Sequence, residues 1–177
     1  MNYLLPLIAV ILGYILALVI QPKKKSNLKL LLAFSGSFLL SVTVISLLPE
    51  VYETKNTTIG LYIMLGILFQ IILEFFSKGA EHGHVHGHQT ITHIPWLLFI
   101  SLCIHALLEG FPVGHHHDLA IGIAIHHLPI AIILTTFFVQ AQLNKKAIFA
   151  FMITFAMMTP LGTLASNYIP GLQEYTT

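Results

Sequence analysis

Six long apolar stretches constrain the fold of this 177-residue chain more than any other feature. Each is close to the roughly 20 residues that a helix needs to cross the hydrocarbon core of a bilayer. The stretches are continuous rather than alternating, which favours helices over the strands of a membrane barrel. The sequence therefore predicts an all-α, polytopic membrane helix bundle that forms one transmembrane domain over residues 1–177. Its helices are expected at about 4–20, 30–48, 59–76, 96–114, 119–139 and 147–169.

The composition excludes several classes of protein. Charged residues make up 8% of the chain and hydrophobic residues 56%, whereas soluble domains carry about 25% charged residues. So little charge cannot cover a globular surface, which excludes an ordinary soluble enzyme, a disordered tail and a nucleic-acid-binding protein. The lone Cys103 excludes a disulfide framework and a multi-cysteine metal cluster. The sequence contains no zinc-protease, phosphate-loop or nucleophile-elbow motif, so we expect no enzymatic activity.

Lysine positions predict the orientation in the membrane. Seven of the eight lysines lie on one side of the predicted membrane helices, and only Lys55 lies on the other side. Because cytoplasmic loops carry an excess of such residues, the N-terminus is predicted outside, the loop at 79–95 in the cytoplasm and the C-terminus outside. The six predicted helices make this a multi-pass protein, which we expect in a cell membrane, specifically a bacterial inner membrane. The lysines on the cytoplasmic side are Lys23, Lys24, Lys25, Lys29, Lys78, Lys145 and Lys146.

Histidine is unusually frequent, with eleven in the chain, and most lie in two loops. The cytoplasmic loop holds a short alternating histidine tract, which predicts either metal capture or a solvated linker. The outer loop between the fourth and fifth helices is either a site that concentrates cations or a polar cap at the membrane surface. The residues concerned are His82, His84, His86 and His88 in the first loop, and His115, His116, His117 and Asp118 in the second.

The fourth predicted helix carries His105 and Glu109, and ionisable side chains inside a membrane are costly and usually functional. A spacing of four residues places both on one helix face. A neutral imidazole and a carboxylate on one face form half of a site for a divalent transition metal. The alternative is a buried hydrogen bond between the two side chains that satisfies both.

The fifth predicted helix adds His126 and His127. Adjacent residues point about 100° apart on a helix, so the pair is not expected to face one ion equally. Pro129 removes the hydrogen bond to the carbonyl of Ile125. Interrupted helices at mid-depth are where transporters expose carbonyls to ions, although a proline kink without function is the alternative.

Two further acids lie near helix ends. Glu50 follows the second helix near its outer edge, and it is either a pathway residue or an interfacial acid. Glu74 lies near the inner end of the third helix, four residues before Lys78. That spacing favours an ordinary ion pair.

Several of these segments resemble the ZIP family of zinc and iron transporters. The segment His105-Ala106-Leu107-Leu108-Glu109-Gly110 resembles the family's fourth-helix motif, in which a His is followed after three residues by an acid and then Gly. His126-His127-Leu128-Pro129 resembles its H-E-I-P-E-G motif. The sequence ending in Leu47-Leu48-Pro49-Glu50 and the sequence Thr159-Pro160-Leu161-Gly162 resemble the family's second and sixth helices. Together the similar segments extend over nearly the whole chain.

The resemblance implies uptake of a divalent metal ion, zinc in the first instance, with iron or another divalent metal as the alternative. It also implies a metal site between the fourth and fifth helices, with His105, Glu109 and His126 as ligands and His127 as the next candidate. A homodimer is implied in the same way.

This chain departs from the family pattern at positions that matter for a second ion. Ala106 and Ile130 stand where the family has side chains that can ligate, and His127 replaces an acid. These departures favour one metal per site over two, and the more nitrogen-rich ligand set favours zinc over manganese. The family has eight helices and six are predicted here, so the expectation is a chain without the last two.

Other functions remain as alternatives. A metal-binding membrane protein that does not transport, either a truncated remnant or an accessory subunit, would use the same ligands. A cation-diffusion exporter would share six helices and a His-rich loop but would move the ion outward. An intramembrane metallohydrolase would need a base beside an open metal position, and Glu109 is the only candidate.

Overall fold

The computed structural model describes residues 3–20, 25–53, 57–77, 94–114 and 116–168, and across these ranges the chain is helical without any strand. Five segments are long and apolar enough to cross a membrane, and the first helix is a shorter apolar one. The predicted all-α membrane helix bundle is therefore confirmed. The elements are α1 (Leu4–Ile20), α2 (Lys25–Val42), a π-helical turn (Thr43–Leu47), α3 (Leu48–Glu53), α4 (Ile59–Ser77), α5 (Trp96–Glu109), a 3₁₀ segment (Phe111–Gly114), α6 (His117–Gln140) and α7 (Lys145–Tyr168).

The second helical segment is longer than its apolar stretch predicts. It runs from Lys25 to Glu53 rather than over 30–48, with the π turn in its middle. In that turn the amide of Leu48 donates to the carbonyl of Thr43, five residues back. Pro49 follows immediately, and proline cannot donate to the carbonyl four residues before it. The wider turn ahead of Pro49 lets the helix continue past a residue that would otherwise end it.

The bounds of α4, α6 and α7 differ from their apolar stretches by one or two residues, and a polar cap accounts for the start of α7. The side-chain oxygen of Asn144 accepts a hydrogen bond of 2.9 Å from the amide of Lys146. Such a cap starts α7 at Lys145, ahead of the predicted start at 147. The stretch 96–114 contains two elements, because α5 ends at Glu109 and Pro112 lies in the separate 3₁₀ segment. Residue 169, the predicted end of the last helix, lies outside the described residues.

α6 is the centre of the bundle, since it packs against α1, α2 and α7. α1 crosses it at Gly13, where an added Cβ would lie 2.6 Å from the carbonyl oxygen of Leu128 and 2.7 Å from the Cβ of Ala131. A small residue is required there because the two backbones approach closely. This crossing fixes α6 around Pro129, just beyond its two histidines.

A second close crossing joins α5 to α7. A Cβ on Gly110 would collide with the carbonyl of Thr159, and a Cβ on Gly162 would collide with the carbonyl of Leu107. The hydroxyl of Thr163 donates to the carbonyl of Gly110 at 2.7 Å, which satisfies a group near the end of α5. These contacts hold the backbone directly after Glu109 against α7.

α4 lies at the edge of the bundle and packs on α5. The hydroxyl of Ser101 in α5 donates to the carbonyl of Leu73 in α4 at 2.5 Å. Most other side chains of α4 are apolar and exposed, as expected for a helix that faces lipid. α4 therefore contributes to the interior through the face that carries Leu73.

The crossing of α5 and α7 predicts a sharp difference between two glycine substitutions. Gly162→Ala should destabilise the protein by about 1–3 kcal/mol, because its methyl group must displace the backbone of α5. Gly66→Ala is the matched control, since nothing lies within 4 Å of its added Cβ. Thermal unfolding in detergent, followed by the fluorescence of Trp96, measures both. Equal melting temperatures for the two variants would contradict this account of the crossing.

Candidate metal centre

A cavity of about 460 Å³ lies between α2, α4, α5 and α6. Its α2 wall is mainly apolar, whereas α4, α5 and α6 contribute polar and ionisable side chains. Thr43, at the start of the π turn, adds a hydroxyl group. The lining residues are Leu32, Gly36, Leu39, Leu40, Thr43, Gln70, Glu74, His105, Glu109 and His126.

Three of the four residues predicted as metal ligands meet in this cavity. His105 and Glu109 face each other along α5, with the Nε2 atom of His105 3.1 Å from the Oε1 atom of Glu109. α6 adds His126, and one possible ligand atom from each of the three lies within 4.8 Å of the other two. All three side chains are partly buried. Two ring nitrogens and a carboxylate in this arrangement are a donor set that a divalent transition metal accepts.

His127 lies behind Glu109 and outside this group of three. Its Nε2–H donates to the Oε2 atom of Glu109 at 2.8 Å. Only 1% of the residue is exposed, and its ring packs against Phe155 at a centroid distance of 5.3 Å. The turn of about 100° between adjacent helical residues separates it from His126. The two oxygens of Glu109 therefore have different neighbours: Oε1 faces His105 and the cavity, and Oε2 accepts from His127.

Gln70 of α4 fixes the orientation of His105, although no sequence motif pointed to this residue. The Nδ1 atom of His105 lies 2.8 Å from the side-chain oxygen of Gln70. That oxygen can only accept, so Nδ1 carries the proton and donates. In a neutral imidazole this leaves the lone pair on Nε2, the atom that faces Glu109. The sequence did contain a signal for this contact. Gln70 and Glu74 are polar residues in a largely apolar helix, and their spacing of four residues places both on one face.

The residues predicted to capture cations at the outer surface form a separate group. His116 Nδ1 lies 3.7 Å from Glu50 Oε2, so the end of the second helical segment meets the start of α6. A smaller cavity of about 200 Å³ lies beside them, lined in part by His116, His117 and Asp118. The structure thus brings Glu50 to this loop, which the sequence could not indicate.

Several predicted residues lie outside the described part of the chain. His115 of the outer loop is one of them. The tract His82, His84, His86 and His88 and almost all of the loop 79–95 are others. Lys78, the predicted ion-pair partner of Glu74, also lies outside the described residues. Glu74 itself is partly buried and lines the central cavity.

Comparison with known proteins finds distant relatives. The chain is 25% identical over 110 residues to zinc transporter ZIP1 of Danio rerio, an alignment that includes 49% of this chain and 36% of that protein. It is 28% identical over 112 residues to protein zntD of Dictyostelium discoideum, covering 53% of this chain and 16% of that protein. The chain thus spans well under half the length of these curated relatives. No family model matches it, and no solved structure does.

The buried contact between His127 and Glu109 predicts an effect on stability. His127→Leu should cost about 1.5–3 kcal/mol, because it removes a hydrogen bond to a charged group in the bundle interior. Thr135→Val is the matched control, since Thr135 is equally buried in α6 and its hydroxyl oxygen has no hydrogen-bond partner among the described residues. Thermal unfolding in detergent compares the two. A melting temperature for His127→Leu as high as that of the control would count against the contact.

Proposed function

We propose that this chain moves a divalent metal ion, zinc in the first instance, across a membrane into the cytoplasm. His105, Glu109 and His126 bind the ion in the central cavity. The observation that carries the proposal is the convergence of these three side chains, from two helices, inside a bundle with five segments long and apolar enough to cross a bilayer. Ionisable side chains in such a location are costly, which supports a functional reason for them.

The donor set supports zinc over harder ions. Magnesium and calcium prefer oxygen ligands, whereas imidazole nitrogen with one carboxylate suits zinc and similar transition metals. Zinc binds such atoms at about 2.0–2.2 Å, which places ligands in a tetrahedral site roughly 3.4 Å apart. The three atoms already lie within 4.8 Å of one another. Side-chain adjustments of about an ångström would close the site, and three protein ligands leave a fourth position for water.

The relatives support metal transport as the general function. Both alignments cover about half of this chain, and the protein from Danio rerio is named a zinc transporter. The proposal extends this to zinc as the ion, to inward movement and to the ligands named above. It also includes the homodimer that the family resemblance implies and the location in a bacterial inner membrane that we expect for this multi-pass chain.

Most of the candidate polar residues then have a role in passage of the ion. Glu50, His116, His117 and Asp118 attract cations at the outer surface. His105, Glu109 and His126 replace part of the hydration shell of the ion. Two further residues position the ligands: Gln70 keeps the proton of His105 on Nδ1, and His127 holds the second oxygen of Glu109. The histidine tract at 82–88 receives the ion on the cytoplasmic side.

Zinc flux into proteoliposomes tests the proposal directly. The unsubstituted chain should accumulate radioactive zinc, and His105→Ala and Glu109→Gln should each reduce the initial rate at least about tenfold, because each removes a ligand. Glu53→Gln is the control, since it neutralises an acid that is exposed at the end of α3.

Each other outcome would point to a different function or to different residues in the pathway. Zinc binding without flux, lost in both variants, would identify a metal-binding membrane protein that does not transport. Flux only out of the vesicles, measured with the orientation of the protein determined, would favour an exporter. Flux that neither substitution changes would remove these residues from the pathway.

Gln70 provides a more selective test of the site. Gln70→Leu should weaken zinc binding about 10- to 100-fold, which is the usual cost of losing a hydrogen-bond partner of a metal-ligating histidine. Gln70→Glu keeps an oxygen that accepts from Nδ1, so it should bind zinc at least as well as the unsubstituted chain. Equilibrium binding of radioactive zinc in detergent measures both. Wild-type affinity in Gln70→Leu would show that His105 does not need this partner.

A further inference from the structure

We infer that Glu74 is a second ion-binding position, one helical turn closer to the cytoplasm than the site at His105, Glu109 and His126. The carboxylate would take the ion as it leaves those ligands and pass it inward. The inference rests on the proposed function, because it describes the inward half of the same pathway. The sequence pattern alone favoured an ion pair between Glu74 and Lys78.

The first observation is that Glu74 shares the cavity with the three ligands. Its partly buried side chain lines the same space of about 460 Å³ as His105, Glu109 and His126. The next two residues along α4, Phe75 and Phe76, are exposed on the outside of the bundle. A carboxylate that faces this space avoids the cost of a charge placed in lipid. The cavity therefore connects Glu74 with the ligands through space large enough for a hydrated ion.

The second observation is the register between α4 and α5, which fixes the depth of Glu74. Gln70 pairs with His105, and three residues further along α4 the carbonyl of Leu73 accepts from Ser101. The two helices are therefore antiparallel, and Glu74 lies close to the depth of Ser101. Ser101 precedes His105 by four residues, which is about 6 Å along a helix.

The third observation is the direction of this displacement. α4 ends at Ser77, and Lys78 and the loop 79–95 follow on the side that the lysines predict to be cytoplasmic. Glu74 is thus on the cytoplasmic side of the three ligands. Among the described residues that line the cavity, the ionisable ones are Glu74, His105, Glu109 and His126. Glu74 is the only member of this set not already used by the proposed site.

The chemistry fits a position of release. A carboxylate is a good zinc ligand, but one carboxylate holds the ion less tightly than two imidazoles and a carboxylate together. An ion that moves from three protein ligands to one can regain water at each step. Conduction needs binding that is strong enough to accept the ion and weak enough to let it go.

The test compares zinc flux and zinc binding in the same preparations. Glu74→Gln keeps the size of the side chain and removes its charge. It should reduce the initial rate of zinc flux at least about tenfold, while equilibrium zinc affinity stays within about threefold of the unsubstituted chain. Glu74→Asp keeps the carboxylate and should retain at least about a third of the rate. Retained zinc affinity also shows that the variants are folded.

Each alternative result has a distinct meaning. Flux at the wild-type rate in Glu74→Gln, beside a functional unsubstituted chain, would overturn this inference and leave the proposed function intact. Zinc affinity reduced as far as in Glu109→Gln would also overturn it, because Glu74 would then belong to the first site. Absence of flux in the unsubstituted chain would overturn both proposals together.

Discussion

The carboxylate of Glu109 is the group on which the interior of this bundle depends. One of its oxygens lies 3.1 Å from His105 on the same helix, and the other accepts from His127 on α6 at 2.8 Å. A carboxylate inside a membrane bundle requires a donor such as the Nε2–H of His127, because leaving its charge without a partner there is costly. The contact with His127 joins α5 to α6 and leaves the other oxygen of Glu109 facing His105 and the cavity. The contacts that stabilise the buried carboxylate of Glu109 thus also set the geometry of the candidate metal site.

The packing of α7 holds the end of α5 that carries Glu109. Gly110 follows Glu109 directly, and it lies against α7 where Gly162 and Thr163 contact the last turn of α5. Close backbone approach through small residues is a common way for membrane helices to associate. On the other side of the site, α1 contacts α6 at Gly13. The two helices that carry the three candidate ligands are therefore each held by a glycine crossing, whereas α4 lies at the edge.

The sequence predicted more of the fold than of the site. Uninterrupted apolar stretches are nearly sufficient to identify membrane helices, because every backbone polar group must be satisfied within the segment. The ends of the helices were less predictable, because hydropathy indicates neither the cap at Asn144 nor the π turn before Pro49. The spacing of His105 and Glu109 placed both on one face from the sequence alone. His126 lines the cavity, whereas His127 contacts Glu109 outside it. The sequence could not indicate this difference, because it depends on which side of α6 faces the cavity.

The sequence by itself determined that this chain is a bundle of apolar helices with costly ionisable groups inside, because hydrophobicity and helical period are properties of neighbouring residues. Only the tertiary structure decided which of those groups meet. Gln70 and Glu74 join His105 in one cavity, and Glu50 meets His116 outside it, because α4 packs antiparallel on α5 and the second helical segment packs on α6. Contacts of this kind link residues far apart in the chain. Their geometry depends on the packing of whole helices, which no local pattern specifies.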